Sequence, residues 1–440
     1  MTFRPSGFME YSPSEQLIFD QLVEIITKNY EKFWYTHIHT IAVEPNNVLL
    51  AKSGEELGKQ IFGLYGLAQG AEDLKDYSLH FDLTVPFARY VLDRESELTF
   101  PFKRYQIQPV RRGERPQKGR YREFFQCDLD VIRRKDSNQA YLYYDAEVIF
   151  TFSQTYQEIL QAMNIDDTPV IHISNRKILA GFLSSLIPEK DVAAASVLID
   201  KYQKIWQENF IASLKDLGIS DQNAQKINDF ALLKLEGPSL EKLTSLADTP
   251  LFLEGIAEMK EIIAYIETFK TSFQKPCPYV IDLQIVRWQD YYTGVVFETM
   301  LANDLAFGAV GGGGRYGELT GYIDPKRDTY AGVGASIGFS RLLYKIFEQQ
   351  KNQQATVAEY LVLHFSETLE ESLTLASQLQ ATGKCVEIYP VADKLGKQFS
   401  YADKKGIPYV IILGEGEKES WIYKIKHMQT GEEQSQKLKA

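Results

Sequence analysis

The sequence predicts an α+β chain: a β-containing region with one long polar hairpin, a run of helices inserted into it, and a small α/β module near the C-terminal end. Three observations carry this. Residues Lys103–Lys135 hold eleven of the 48 basic residues and read as two strands joined by a basic Gly/Pro loop. From 175 to 273, one helical periodicity follows another with few strand signals. After 357, short apolar strands alternate with helices, the pattern of a small α/β unit. A chain of 440 residues exceeds one typical core. Its boundaries read as 1–174, 175–273, 274–350 and 357–440, the first and third being two parts of one domain.

Taken in order, Ser14–Phe33 places Leu17, Ile18, Leu22, Ile25, Ile26 and Tyr30 at helical spacing. Ile38–Leu50 reads as strand-like. Leu79–Arg89 starts as an alternating strand and turns helical after Pro86, since proline suits a first helical turn. Tyr141–Leu160 reads as a long helix and Pro169–Ile173 as a strand. Helices are expected at Glu189–Ile199, Lys201–Leu217, Gln222–Leu233, Ser239–Leu246 and Glu254–Phe269. Strands resume at Tyr279–Val286 and Gly294–Leu301, followed by a glycine-rich turn at Gly308–Gly314. The segment Gly332–Gly338 leads into a helix, Phe339–Gln349, and the polar stretch Gln349–Thr356 is a linker candidate. The last module reads strand Tyr360–Leu363, helix Thr368–Thr382, strand Cys385–Tyr389, helix Lys394–Lys404 and strand Tyr409–Leu413.

Composition excludes several classes. No run of 18 apolar residues exists, so no membrane-spanning helix is expected. The polar N-terminal stretch has no basic segment leading into an apolar core, so no signal peptide is expected. Three distant cysteines (Cys127, Cys277, Cys385) and scattered histidines give no structural metal spacing and suit a reducing compartment. His37 and His39 share a strand face without a third ligand nearby and read as structural. The formal net charge of −11 disfavours a general nucleic-acid coat but leaves room for a local basic footprint.

The hairpin carries the chemistry. Residues two apart share a strand face. One face of the return strand therefore presents Arg122, Phe124, Gln126, Asp128 and Asp130, and the outgoing strand adds Gln106, Gln108 and Arg112. Guanidinium groups, one aromatic plane and carboxylates on a polar sheet face suit a nucleotide and an amino acid lying on the sheet. A solvated surface hairpin and a nucleic-acid patch on the loop (Arg115, Lys118, Arg120) are the other readings. The glycine-rich stretches are neither a P-loop nor a dinucleotide fingerprint. They are tight turns or places where backbone approaches a ligand closely. Arg341, in the first turn of its helix, makes an anion site with the helix start. Arg287 lies among Trp288, Tyr291 and Tyr292, where a buried guanidinium needs an anionic partner, protein or ligand.

Together these segments resemble class II aminoacyl-tRNA synthetases, and among them the histidyl-tRNA synthetase family, over nearly the whole chain. Arg112–Asp130 is similar to the family's motif 2 and Gly332–Arg341 to motif 3. The histidine-specific pieces are Arg287 with Asp290-Tyr291-Tyr292-Thr293-Gly294, and Gly312-Gly313-Gly314-Arg315-Tyr316. The module from 357 resembles the family's anticodon-binding domain.

The resemblance implies the class II antiparallel sheet with flanking helices, a helical insertion and a C-terminal α/β anticodon-binding domain. It implies ATP with Mg²⁺ as the energy source and no tightly bound cofactor or protein metal site. Arg112 then grips the ATP α-phosphate, Arg341 the γ-phosphate, Phe124 stacks adenine, Glu114 contacts its edge, and Arg287 stabilises charge on the α-phosphate. Asp82 and Thr84 hold the amino group of histidine, Gln126 its carboxylate, and Asp130, Tyr292 and Tyr316 its imidazole. Arg115 and Lys118 meet the tRNA acceptor end, and Lys394, Lys397, Lys404 and Lys405 form a patch for the tRNA on the last module. The implied partners are histidine tRNA, L-histidine and a second copy of the chain, in the cytoplasm and away from membranes.

The chain departs from the family at Trp288, Gln289, Gly317, His80 and Ile41, the last within motif 1. The alternative is an altered paralogue, either a histidine-binding regulatory protein or an enzyme that activates an amino acid without charging tRNA.

Overall fold

The first helical periodicity becomes the helix Pro13–Lys32. The structure, a computed structural model, describes residues 3–51, 58, 60–66, 76–117, 119–135, 141–202, 207–238, 240–287, 291–349, 354–420 and 422–437. Two units are distinguished: Met1–Met9 with Val23–Ile346, and Glu10–Leu22 with Phe347–Ala440.

In the larger unit, β1 (Thr36–His37) runs beside the later hairpin, while β2 (Val43–Pro45), β3 (Gly63–Leu64) and β4 (Tyr77–Leu79) form a small separate sheet. The stretch expected to be strand-like to Leu50 turns instead into a short helix, Asn46–Leu49, behind an extended Pro45. The next helix, Thr84–Arg94, starts two residues before Pro86 rather than after it. Asp82 explains the earlier start: its Oδ1 accepts the Val85 N–H at 3.2 Å and satisfies a first-turn donor.

The hairpin forms as its alternation requires. β5 (Phe102–Arg111) and β6 (Glu123–Arg134) pair antiparallel, with Gln108 opposite Gln126, Gln106 opposite Asp128 and Arg104 opposite Asp130. After the helix Tyr141–Ala162 comes β7 (Pro169–Asn175). The following residues are mostly helical, but β8 (Lys234–Glu236) interrupts them and joins the main sheet beside β9 (Tyr279–Asp282). Three residues of strand are too short to leave a period.

The last three strands are β10 (Tyr292–Leu301), β11 (Gly311–Tyr316) and β12 (Tyr330–Ile337). The sheet order is β1-β5-β6-β12-β11-β10-β7-β9-β8. Its central ladders, from β5 across to β7, are all antiparallel. Helix Tyr141–Ala162 covers one face: the Tyr156 hydroxyl donates to the Val310 carbonyl at 2.7 Å, and Phe152 packs edge-on against Phe297.

The expected turn at Gly308–Gly314 is therefore corrected from Gly311 onward, where β11 begins, and of the two readings of Gly332–Gly338 the turn fails, because most of that stretch is strand. The glycines serve close packing between elements. A Cβ on Gly334 would lie 2.0 Å from the Asp130 carboxylate, and one on Gly312 would lie 2.8 Å from the Arg287 guanidinium.

The smaller unit carries β13 (Tyr360–Val362), β14 (Val386–Ile388), β15 (Tyr409–Ile412), β16 (Ile422–His427) and β17 (Glu433–Lys437) in the order β14-β13-β15-β16-β17. Its first three strands are parallel and are joined by helices Leu369–Ala381 and Leu395–Lys405. Sequence reading stopped at β15. It missed the β16–β17 hairpin because β17 is exposed at every residue and carries no apolar signal.

Candidate active site

The antiparallel register gathers the hairpin's polar face, the glycine strands, Arg287 from a loop and Arg341 from a helix start around one cleft of about 340 Å³. Its floor is β6 (Gln126, Asp128, Asp130), β12 (Gly334, Ser336) and β11 (Gly312, Tyr316). Its walls are Asp82 and Thr84, Arg112 and Phe124, Arg287 with Tyr291 and Tyr292, and Arg341. All eleven residues that sequence reading gave to the nucleotide and the amino acid line this cleft, Glu114 included. Three guanidinium groups more than fifty residues apart from their nearest counterpart thus face one space.

Each arginine is held in a different way. Arg112 Nε donates to the Phe81 carbonyl at 3.0 Å, and its guanidinium carbon lies 5.1 Å from the Phe124 ring centre. Arg341 sits 4.8 Å over the Phe307 ring and donates to the Phe307 carbonyl. Burial, reinforced by neighbouring Arg120, pulls its pKa below the usual arginine value. Arg287 Nη1 meets Glu298 at 2.9 Å. Burial opposes its charge, but Glu298 and the Tyr292 and Tyr291 hydroxyls outweigh burial and raise its pKa.

At the other end, carboxylates dominate. Burial raises Asp82 to about 6 against the opposing pull of the Val85 N–H and Arg112. Burial raises Asp130 to about 7, opposed by Arg104 and helped by Asp128. Arg104, fully buried, reaches Asp130 at 2.7 Å, and the Tyr316 hydroxyl donates to Asp130 at 2.9 Å. Gln126 Nε2 donates to Ser336 Oγ at 3.1 Å and leaves Oε1 buried without a partner. Buried charges and orphaned acceptors in a cleft mark a place where a ligand completes the set.

Of the described RNA-facing candidates on the hairpin loop, Arg120 lines the cleft and Arg115 does not. Arg115 is exposed on the hairpin loop, and Lys118 lies outside the described residues. In the smaller unit Lys394, Lys397 and Lys404 are exposed, Lys397 pairing with Asp393 at 3.0 Å. Lys405 is half-buried and bound to Glu387 at 2.9 Å. Trp288, Gln289 and Asp290 also fall outside the described residues.

Sequence reading gave no contact with the nucleotide or the amino acid to Asp128, Ser336, Tyr291, Arg120 or Tyr121, which line the cleft, or to Arg104 behind it. Asp128 shared the alternating face that was read, so its signal was present. Arg104 stood in the basic run, but its role depends on cross-strand pairing with Asp130, which only the register reveals.

The chain matches known proteins over nearly its whole length. The family model described as "Histidyl-tRNA synthetase" matches residues 7–342, and the one described as "Anticodon binding domain" matches 359–440. The chain is 39% identical over 439 residues to a histidine–tRNA ligase of Clostridium tetani, covering 98% of this chain and 95% of that one. It is 35% identical over 444 residues to a histidine–tRNA ligase of Stenotrophomonas maltophilia, covering 96% and 93%. The crystal structure of histidyl-tRNA synthetase from a Nostoc species matches with a TM-score of 0.85 at 34% identity, covering 99% and 97%.

Proposed function

The chain belongs to the histidyl-tRNA synthetase family and acts as a histidine–tRNA ligase; from that premise we propose how its cleft divides the work. The histidine carboxylate attacks the ATP α-phosphorus and expels pyrophosphate, leaving histidyl-adenylate. The terminal adenosine of histidine tRNA then attacks the acyl carbon and expels AMP. The single observation that carries the proposal is the convergence of Arg112, Arg287 and Arg341 on one cleft.

In this proposal Arg112 grips the α-phosphate and Arg341 the γ-phosphate, while Phe124 stacks adenine and Glu114 meets its edge. Arg287 neutralises charge developing on the α-phosphate, and removing such a preorganised cation costs on the order of 10²–10³ in rate. Asp82 and Thr84 hold the amino group of histidine, and Asp130, Tyr292 and Tyr316 its imidazole. Gln126 serves the carboxylate through Nε2, once that nitrogen turns from Ser336. Among the described residues no group of three or more His, Cys, Asp or Glu side chains is placed to hold a metal ion. A Mg²⁺ ion accompanying ATP would be held mainly by phosphate oxygens and water, as this ion prefers.

The domain roles belong to the same proposal. Residues 1–174 and 274–350 are catalytic, 175–273 a helical insertion, and 357–440 read the anticodon arm with Lys394, Lys397, Lys404 and Lys405. Arg115 and Lys118 meet the acceptor end. The working form is a homodimer in the cytoplasm. Exposed apolar side chains on and near the small sheet (Ile41, Val43, Tyr65, Tyr77) support a partner surface, and three free cysteines support a reducing compartment. Among the described residues no helix is long and apolar enough to cross a membrane.

ATP–pyrophosphate exchange followed by tRNA charging tests this. Exchange with histidine and charging of histidine tRNA are expected; absence of histidine-dependent exchange overturns the reading. Arg287→Ala is expected to lower exchange by about 10²–10³ with the fold intact. A near-normal rate would remove Arg287 from the mechanism.

A further inference from the structure

We propose that Asp128 is a substrate-binding residue, accepting a hydrogen bond from the α-ammonium group of the amino acid beside Asp82. The inference rests on the histidine-activating reading of the cleft and adds to it a contact at the amino end.

Asp128 sits on β6 between Gln126 and Asp130, on the face that lines the cleft. It is 1% exposed, and its Oδ1 is buried without a hydrogen-bond partner. Gln126 Oε1, two residues back on the same face, is bare as well. Asp130 differs from both: Arg104 holds it at 2.7 Å and Tyr316 at 2.9 Å. The floor therefore offers two unfilled acceptors next to one carboxylate that is already served.

Charge points the same way. Asp82, Asp128 and Asp130 crowd one end of the cleft, and Arg104 forms its ion pair with Asp130. Arg112 spends its Nε on the Phe81 carbonyl. Burial raises the Asp128 pKa, with Arg104, Ser336 and Arg112 pulling against it, as expected for a carboxylate short of a close cation. A compact cation with several donors completes this set. An α-ammonium group has three N–H donors, and Asp82, Asp128 and Gln126 Oε1 can accept one each. Gln126 can then meet the ammonium through oxygen and the carboxylate through nitrogen, since both groups hang from one carbon.

The test compares wild type with Asp128→Asn, a near-isosteric change that removes the charge. In ATP–pyrophosphate exchange the variant is expected to raise the KM for histidine about 10- to 100-fold, the effect of losing one charged hydrogen bond. Its KM for ATP is expected to stay near wild type. Two inhibitors separate binding from structure: histidinol keeps the ammonium, and 3-(imidazol-4-yl)propionate lacks it. Histidinol should weaken with histidine while the propionate does not. An unchanged KM for histidine, or equal losses for both inhibitors, overturns the proposal.

Should the variant fail to fold, a crystal of the wild-type enzyme with histidine decides. An amino nitrogen within about 3.2 Å of Asp128 Oδ1 supports the contact, and one beyond about 4 Å rejects it. Lack of histidine-dependent exchange by the wild type would instead reject the ligase reading, so the two failures are distinguishable.

Discussion

Arg287 holds a backbone φ of +58°, in the left-handed region, and its guanidinium meets Glu298 at 2.9 Å. A non-glycine residue persists there only when its surroundings fix it, and such strain clusters at functional sites. Glu298 lies on β10 opposite Gly312 of β11, whose missing side chain leaves room for the guanidinium. Glu298 thus acts through Arg287. Glu298→Gln is expected to lower kcat for exchange about tenfold, with smaller changes in both KM values. A kcat close to that of wild type would show Arg287 to be positioned without Glu298. A second residue-scale expectation concerns pH. Burial pushes the Asp130 carboxyl up to about 7, while Arg104 from β5 and Tyr316 from β11 pull it down and Asp128 and Asp82 push it up. Its raised pKa means the native cleft takes up a proton as pH falls through 7, and the neutral acid accepts poorly from a ring N–H. Histidine affinity should therefore fall below pH 7. The ring of histidine titrates nearby, so the check uses 1,2,4-triazole-3-alanine, whose ring stays neutral. Its affinity should drop as pH falls, and a flat profile would argue that Asp130 stays charged or plays no part.

At the scale of elements, β12 is a strand because of what lies over it. Gly334 is paired with Asp130 on one side and Gly314 on the other, and a Cβ there would strike the Asp130 carboxylate. Gly334→Ala should displace Asp130 and cost about 1–3 kcal/mol as overpacking. The KM for histidine should rise well beyond that for ATP, measured in the same exchange assay; equal changes would indicate general loosening instead. The same strand shows where sequence reading stops. The hairpin's alternation was legible because polar and apolar residues take opposite faces, and helices such as Tyr141–Ala162 were legible by period. Glycines carry neither signal. Their local preference favours turns, and the packing of Asp130 and Arg287 that makes them strands belongs to segments far away in sequence. The helix start at Thr84 was hidden for a related reason: proline suggested a later start, and Asp82 accepts the Val85 N–H of the first turn. The eleven cleft residues were recoverable because they stand in motifs. Arg104 acts through a cross-strand partner, and Asp128 becomes informative once its bare oxygen is known.

For the whole molecule, the formal charge of −11 sets the problem of binding an RNA. The long-range field repels a polyanion, so affinity must come from cations placed where the backbone of the RNA passes. In the smaller unit, Lys394, Lys397 and Lys404 are exposed on or beside helix Leu395–Lys405, and Lys397 pairs with Asp393. Lys405 leans over Tyr401 at 4.7 Å and binds Glu387, an arrangement that spends its charge within the unit. The three exposed lysines should therefore carry the phosphate contacts, and Lys405 should matter more for packing. Replacing Lys394, Lys397 and Lys404 together by Gln is expected to reduce the salt slope of tRNA binding by about two to three, since each phosphate contact contributes roughly 0.7–0.9. Charging should weaken in kcat/KM through KM for tRNA, whereas histidine-dependent exchange, which needs no RNA, should remain at the wild-type rate. Lys405→Gln should leave the salt slope nearly unchanged and lower the melting temperature instead. A slope unaltered by the triple replacement would move the RNA footprint off this helix, leaving the hairpin loop at Arg115 as the next place to measure.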